Sequence, residues 1–148
     1  MGKKKKKSDQ LGHLTPQHDF FLNPHTDARF TRCPKCDKTA TKLRKKLLLV
    51  IVGSMQPVCL NKTCRYCPKC DLLIAHKDEL DELIEQMCRH QLPHLAGQEY
   101  FVAGTMERQV WKEKPQRING IEDIFKSLHD FKRYLEFEPA RYTWVVED

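Results

Sequence analysis

No hydrophobic run in this chain is long. The longest strongly apolar stretch, Leu47 to Val52, is far too short to cross a bilayer. The unbroken lysines Lys3 to Lys7 are followed by no apolar segment, so the pattern of a secretory signal is missing. Gly2 does not fit a myristoylation motif, which wants Ser or Thr at position 6, where Lys6 stands. Aromatic residues make up 9% of the chain, and they are thinly interleaved with its basic part, which leaves little for stacking on bases. The usual enzymatic signatures are absent as well. There is no Gly-x-x-x-x-Gly-Lys-Ser/Thr loop, no Gly-x-Gly-x-x-Gly, no Gly-x-Ser-x-Gly and no His-Glu-x-x-His. These gaps predict a soluble, cytoplasmic protein that is no enzyme, with no membrane partner and no small-molecule substrate.

What the chain does have is repetition. Cys-Pro-Lys-Cys-Asp occurs at 33–37 and again at 67–71. Two Cys-x-x-Cys pairs offer four thiolates, Cys33, Cys36, Cys67 and Cys70, at the spacing of a tetrahedral zinc site. Zn²⁺ suits such soft ligands and brings no redox chemistry of its own. Proline after the first cysteine restricts φ, so that the turn can aim backbone N–H groups at the sulfurs. Seven cysteines without a secretory pattern point to metal rather than disulfides. The expected cofactor is one structural Zn²⁺. One ambiguity stays open at this point: Cys64, Cys67 and Cys70 are evenly spaced, so Cys64/Cys67 could replace Cys67/Cys70, although only the latter repeats the Pro-Lys filling.

Charge is segregated. Residues 1–50 hold 13 Lys/Arg against 4 Asp/Glu, a balance of +9 in a chain whose net charge is +6. The rest is slightly acidic. Residues 1–19 read as a disordered basic arm that cannot bury apolar surface. A second cluster, Lys42, Arg44, Lys45 and Lys46, falls on a segment expected to be folded.

Apolar periodicity places the elements. Thr39 to Val52 reads as a long strand, Gly53-Ser54 as a turn, Val58 to Thr63 as the returning strand and Leu72 to Ile74 as a third. Leu80, Leu83, Ile84 and Met87 share one face of a helix over 77–90, with acidic residues in its first turn. Tyr100 to Trp111 reads as a strand, bent or bulged at Gly104. Ile121, Ile124, Phe125, Leu128, Phe131 and Leu135 predict a second helix, with Asn119 and Glu122 as its capping box. Alternation at Tyr142, Trp144 and Val146 predicts a last strand. The expected fold class is therefore α+β: a zinc ribbon with a small antiparallel sheet over 20–76, then a helix-strand-helix-strand lobe over 77–148.

The hooks resemble the zinc-ribbon class. More narrowly, Asp27-Ala28-Arg29-Phe30-Thr31-Arg32-Cys33-Pro34-Lys35-Cys36 and Asn61-Lys62-Thr63-Cys64-Arg65-Tyr66-Cys67-Pro68-Lys69-Cys70 are similar to small bacterial zinc-ribbon proteins. The class resemblance covers about residues 28–76. Zinc ribbons commonly carry Gly after the second cysteine of each hook, whereas this chain has Asp37 and Asp71. The class includes nucleic-acid binders, protein-contact modules and structural inserts, so the resemblance implies a metal without selecting a task.

Two tasks are expected, in this order. Lys42, Arg44, Lys45 and Lys46, with Arg29, Arg32 and the lysine arm, would meet the phosphates of DNA or RNA, and Tyr66 or Phe30 would stack on a base. Alternatively, the acidic helix 77–90 would contact a protein partner. Cys59 and Cys88 read as inert buried thiols. His76 reads as a helix cap or a stand-in ligand. A catalytic pocket would need Glu99, Glu107, His129 and Asp130, which read more simply as solvated surface.

Overall fold

A computed structural model describes residues 10–53, 56–95, 97–107 and 124–139. The lysine run, Ser54, Trp111, the Asn119/Glu122 pair, Ile121 and the strand expected at 142–146 lie outside those residues. Strands dominate what is described: β1 (Asp19–Asn23), β2 (Lys42–Val52), β3 (Gln56–Cys67), β4 (Leu72–His76), β5 (Tyr100–Met106), β6 (Leu128–Asp130) and β7 (Arg133–Leu135). The hydrogen-bonded order is β6-β5-β2-β3-β4-β1-β7. One α-helix, α1 (Lys77–Gln91), stands among the described residues, followed by a 3₁₀ turn at Pro93–Leu95.

This corrects the expected α+β class with its helix-strand-helix-strand lobe. Past the first helix most of the regular structure in the described chain is strand. Ile124 and Phe125 are helical, but Leu128 and Leu135 lie on β6 and β7, and Phe131 lies between them. Their i, i+3, i+4 spacing imitates a helical face. The backbone hydrogen bonds of these short strands go instead to distant partners, β5 for β6 and β1 for β7. Periodicity records which side chains are buried, not where the backbone finds its partners.

The chain forms two compact units, each assembled from three stretches, and β2 and β3 contribute residues to both. Unit 1 comprises residues 1–17, 46–62 and 98–132. The wholly apolar half of β2 pairs antiparallel with β5, and its core joins Leu47, Leu49, Ile51, Ala103, Met106 and Leu128. The register slips between Leu49/Gly104 and Val50/Val102, a bulge at the position Gly104 signals. A Cβ on Gly104 would lie 2.1 Å from the His129 carbonyl oxygen, so only glycine lets β6 come this close.

Unit 2 comprises residues 18–45, 63–97 and 133–148. Here β3 runs antiparallel into β4, and β1 pairs in parallel with both β4 and β7. Every residue of β4 is buried, as expected of a strand with neighbours on both edges. Helix α1 buries Leu80, Ile84 and Cys88, while Leu83 remains 38% exposed, so the apolar stripe lies one position away from the face expected. His76 is its N-cap residue but makes no side-chain cap bond.

Candidate metal centre

Each hook forms the tip of a hairpin in unit 2. Hook 1 is closed by the antiparallel bridge Arg32–Ala40, with Cys33 N–H donating to the Thr39 carbonyl at 2.9 Å and Thr41 N–H to that of Thr31 at 2.8 Å. Hook 2 turns β3 into β4, where Cys67 faces Leu72. Asp37 and Asp71 adopt left-handed backbone angles, φ 58° and 56°. After glycine, Asp and Asn tolerate this region best, so aspartate fits both turns. The turns then point N–H groups at sulfur, from Lys35 to Cys33 Sγ at 3.3 Å and from Cys70 to Cys67 Sγ at 3.4 Å.

The two turns bring four sulfurs together. Sγ atoms of Cys33, Cys36, Cys67 and Cys70 all lie within 4.8 Å of one another. A tetrahedral ion with metal–sulfur bonds of about 2.3 Å would hold them about 3.8 Å apart, so the set needs only a small contraction to close on a metal. Cys33 and Cys67 are buried against Phe21, Leu72 and Ile74, with Cys36 and Cys70 toward the rim. Without a cation, this packing treats the thiols unequally. The Thr39 hydroxyl, with the Lys38 backbone N–H, lowers the Cys36 thiol to about 6. Burial and the neighbouring sulfurs raise Cys70 to about 12, and burial raises Cys33 as well. A bound divalent cation is the group that would let all four carry charge together.

Of the other cysteines, none belongs to this cluster. Cys64 and Cys88 are buried, and the half-buried Cys59 thiol is pushed up by burial to about 11, the state of an unreactive thiol. His76 lies apart from the sulfurs, its Nδ1 3.1 Å from Asn23 Nδ2.

Hook 2 is more heavily braced than its sequence suggests. Tyr66 donates its hydroxyl to Asp71 Oδ1 at 2.6 Å, and His18 Nδ1 lies 2.6 Å from the same oxygen. Burial, then this carboxylate, raise the Tyr66 hydroxyl to about 12. The Arg44 guanidinium lies over the Tyr66 ring, 5.3 Å from its centroid, while His18 meets that ring edge-on at 5.4 Å. Phe30 stands in the left-handed region at φ 52°, a strained setting for an aromatic residue, and packs on Phe21 and His25. The Thr41 hydroxyl anchors its carbonyl at 2.9 Å. Both residues expected to stack on bases are thus engaged within unit 2.

The basic residues sort into two groups. Arg29 is paired with Asp78 at 2.8 Å, and Lys35 and Arg133 both hold the buried Asp19. In contrast, Lys42, Arg44 and Lys45 are exposed and Lys46 is half-buried, and none has a carboxylate partner among the described residues. Between Lys38 and Cys70 the chain carries 8 Lys/Arg and no Asp/Glu. The acidic face of α1, by comparison, is largely matched: Asp78 by Arg29, Asp81 by Lys77 and Glu85 by Arg89.

In unit 1, His129 joins Glu107 at 2.5 Å and the Thr15 carbonyl at 2.7 Å, and Asp130 accepts the N–H groups of Leu11 and Gly12. These contacts tie residues 11–15 to β6. No helix among the described residues is long and apolar enough to cross a membrane. Compared with protein-family models, curated proteins and solved structures, the chain matches none, so the chemistry of the cysteine cluster carries the interpretation.

Proposed function

We propose that this chain is a structural zinc protein of zinc-ribbon type whose basic β-surface binds nucleic acid. The observation behind it is the convergence of four cysteine sulfurs from two hairpin turns. An all-thiolate donor set favours Zn²⁺, and four protein ligands leave no position for an activated water, so the metal's part is to hold the turns rather than to catalyse. The unpaired cations on β2 support the second half of the reading, since phosphate contacts by Lys and Arg release counterions. The acids of α1, largely matched by cations of unit 2, leave the protein-contact alternative without a comparable feature.

Elemental analysis of the purified protein should find one zinc per chain, and Cys67→Ser should abolish it. In fluorescence anisotropy, that variant should also lose affinity for nucleic acid, because Asp71 of hook 2 holds Tyr66, on which Arg44 rests. Full zinc content in the variant would remove the metal assignment. Unchanged nucleic-acid affinity in a metal-free variant would detach the binding surface from the centre.

A further inference from the structure

We infer that the segment Lys42–Lys45 of β2 binds the phosphate backbone of double-stranded DNA without reading its sequence, an inference that rests on the nucleic-acid reading above. Along a strand, side chains alternate between faces, so Lys42 and Arg44 point one way and Leu43 and Lys45 the other. All four are exposed, Leu43 to 62%, so this end of β2 presents cations from both faces. A strand open on both sides can lie in a groove with phosphates on either hand. Among the described residues β5 pairs only with Leu48–Val52 of β2, so the Lys42–Lys45 end projects past it, and the major groove of B-DNA, about 12 Å wide, admits elements as wide as a two-stranded β-ribbon. The deep, narrow major groove of duplex RNA does not.

The same region offers little to a single strand. Affinity for single strands combines charge with aromatic side chains on which bases stack. Tyr66 has one face under Arg44 and its hydroxyl held by Asp71, and Phe30 is packed edge-on against Phe21. Among the described residues of unit 2 the exposed aromatic is Tyr134, at 58%, on β7. That strand is four places from β2 in the sheet order. A surface left with cations alone gains chiefly from counterion release. That gain is larger on a duplex, with a salt slope of about 0.9 per phosphate contacted against about 0.7 for single strands. Arg44 stacked on Tyr66 is restrained toward backbone contact, and Lys42 and Lys45 act as point charges. Sequence preference is therefore not expected.

The test is fluorescence anisotropy of the full chain at several salt concentrations. The probes are a DNA duplex in two unrelated sequences, each separated strand, and a duplex RNA of matching sequence. The duplex DNAs should bind equally, and more tightly than the single strands or the RNA. Replacing Lys42, Arg44 and Lys45 with Ala should make the salt slope shallower by about 3. The Lys42→Gln/Lys45→Gln variant, which keeps Arg44 on its ring, should make it shallower by about 2, with an unchanged circular dichroism spectrum in both cases. The N-terminal lysines are common to all variants, so the difference in slope reports the strand. Tighter binding of a single strand or of duplex RNA overturns the choice of partner. An unchanged slope overturns the surface. Binding of no nucleic acid by the wild type overturns the nucleic-acid reading itself and leaves the metal centre standing.

Discussion

Hooks 1 and 2 share the pentapeptide Cys-Pro-Lys-Cys-Asp, and comparing them separates what a local sequence dictates from what its surroundings add. Both place the aspartate at φ near 57°, both aim a backbone N–H at the first sulfur, and both close a hairpin. Around them the resemblance stops. Asp37 is exposed, and hook 1 is tied to the fold through Lys35 on Asp19 at 3.2 Å. Asp71 instead accepts from Tyr66, contacts His18, and lends its backbone carbonyl to Asp19 N–H at 2.9 Å. One turn is held by its own backbone and by a single ion pair to Asp19 of β1, the other by the Tyr66 side chain of β3, by His18 just before β1 and by the Asp19 N–H.

The largest effects test what the hooks share. Cys33→Ser and Cys67→Ser should each release the metal and destabilise unit 2 by about 5 kcal/mol or more, since metal binding of this kind is folding free energy. Metal content and chemical denaturation would check this. Cys70→Ser sharpens the comparison: retained zinc there would mean that Cys64 had taken its place, whereas the geometry predicts loss.

A middling effect separates the two hooks. Asp71→Ala removes the acceptor of the Tyr66 hydroxyl and should cost about 1–3 kcal/mol. Asp37→Gly loses no such partner and relieves the left-handed backbone, so it should be neutral or stabilise by up to about 1 kcal/mol. Equal effects at the two positions in thermal unfolding would erase the distinction.

Acid should expose the smallest effect, the tie between hook 1 and β1. Burial raises the Asp19 carboxyl, but hydrogen bonds from Arg133 and Lys35 outweigh it and hold the group below its ordinary value. A carboxylate lowered on folding adds stability above the unfolded value of about 3.9 and loses it as the pH drops further. Asp19→Asn should therefore cost about 1–2 kcal/mol at neutral pH and flatten the acid limb of the stability curve below about pH 4. An acid limb identical to the wild type would show that Asp19 does not anchor the hook.

Much of this was legible in one dimension. The four cysteines that cluster were, because the spacing within each hook is set over a few residues. The strands expected at 39–52 and 72–74 and the helix expected at 77–90 are found at Lys42–Val52, Leu72–His76 and Lys77–Gln91, since local apolar runs and the 3.6-residue period decided them. The region after Gly104 did not. Leu128, Phe131 and Leu135 are apolar at helical spacing, yet the two leucines lie on strands whose partners are far away in sequence. No strand was expected at Asp19–Asn23, because nothing local marks a parallel partner.

By itself, then, the sequence determined four cysteines at metal-binding spacing in two matching hooks, and a basic segment between them free of carboxylates. Which cations remain unpaired was decided by tertiary structure, which sends Arg29 to Asp78 and Lys35 to Asp19 while leaving Lys42, Arg44 and Lys45 in solvent. It also decided that Tyr66 supports Arg44 instead of standing open to a base. Spacing along a chain fixes what a turn of a few residues can ligate. Pairing between charges and between strands depends on chain segments meeting in space, and no local pattern encodes that meeting.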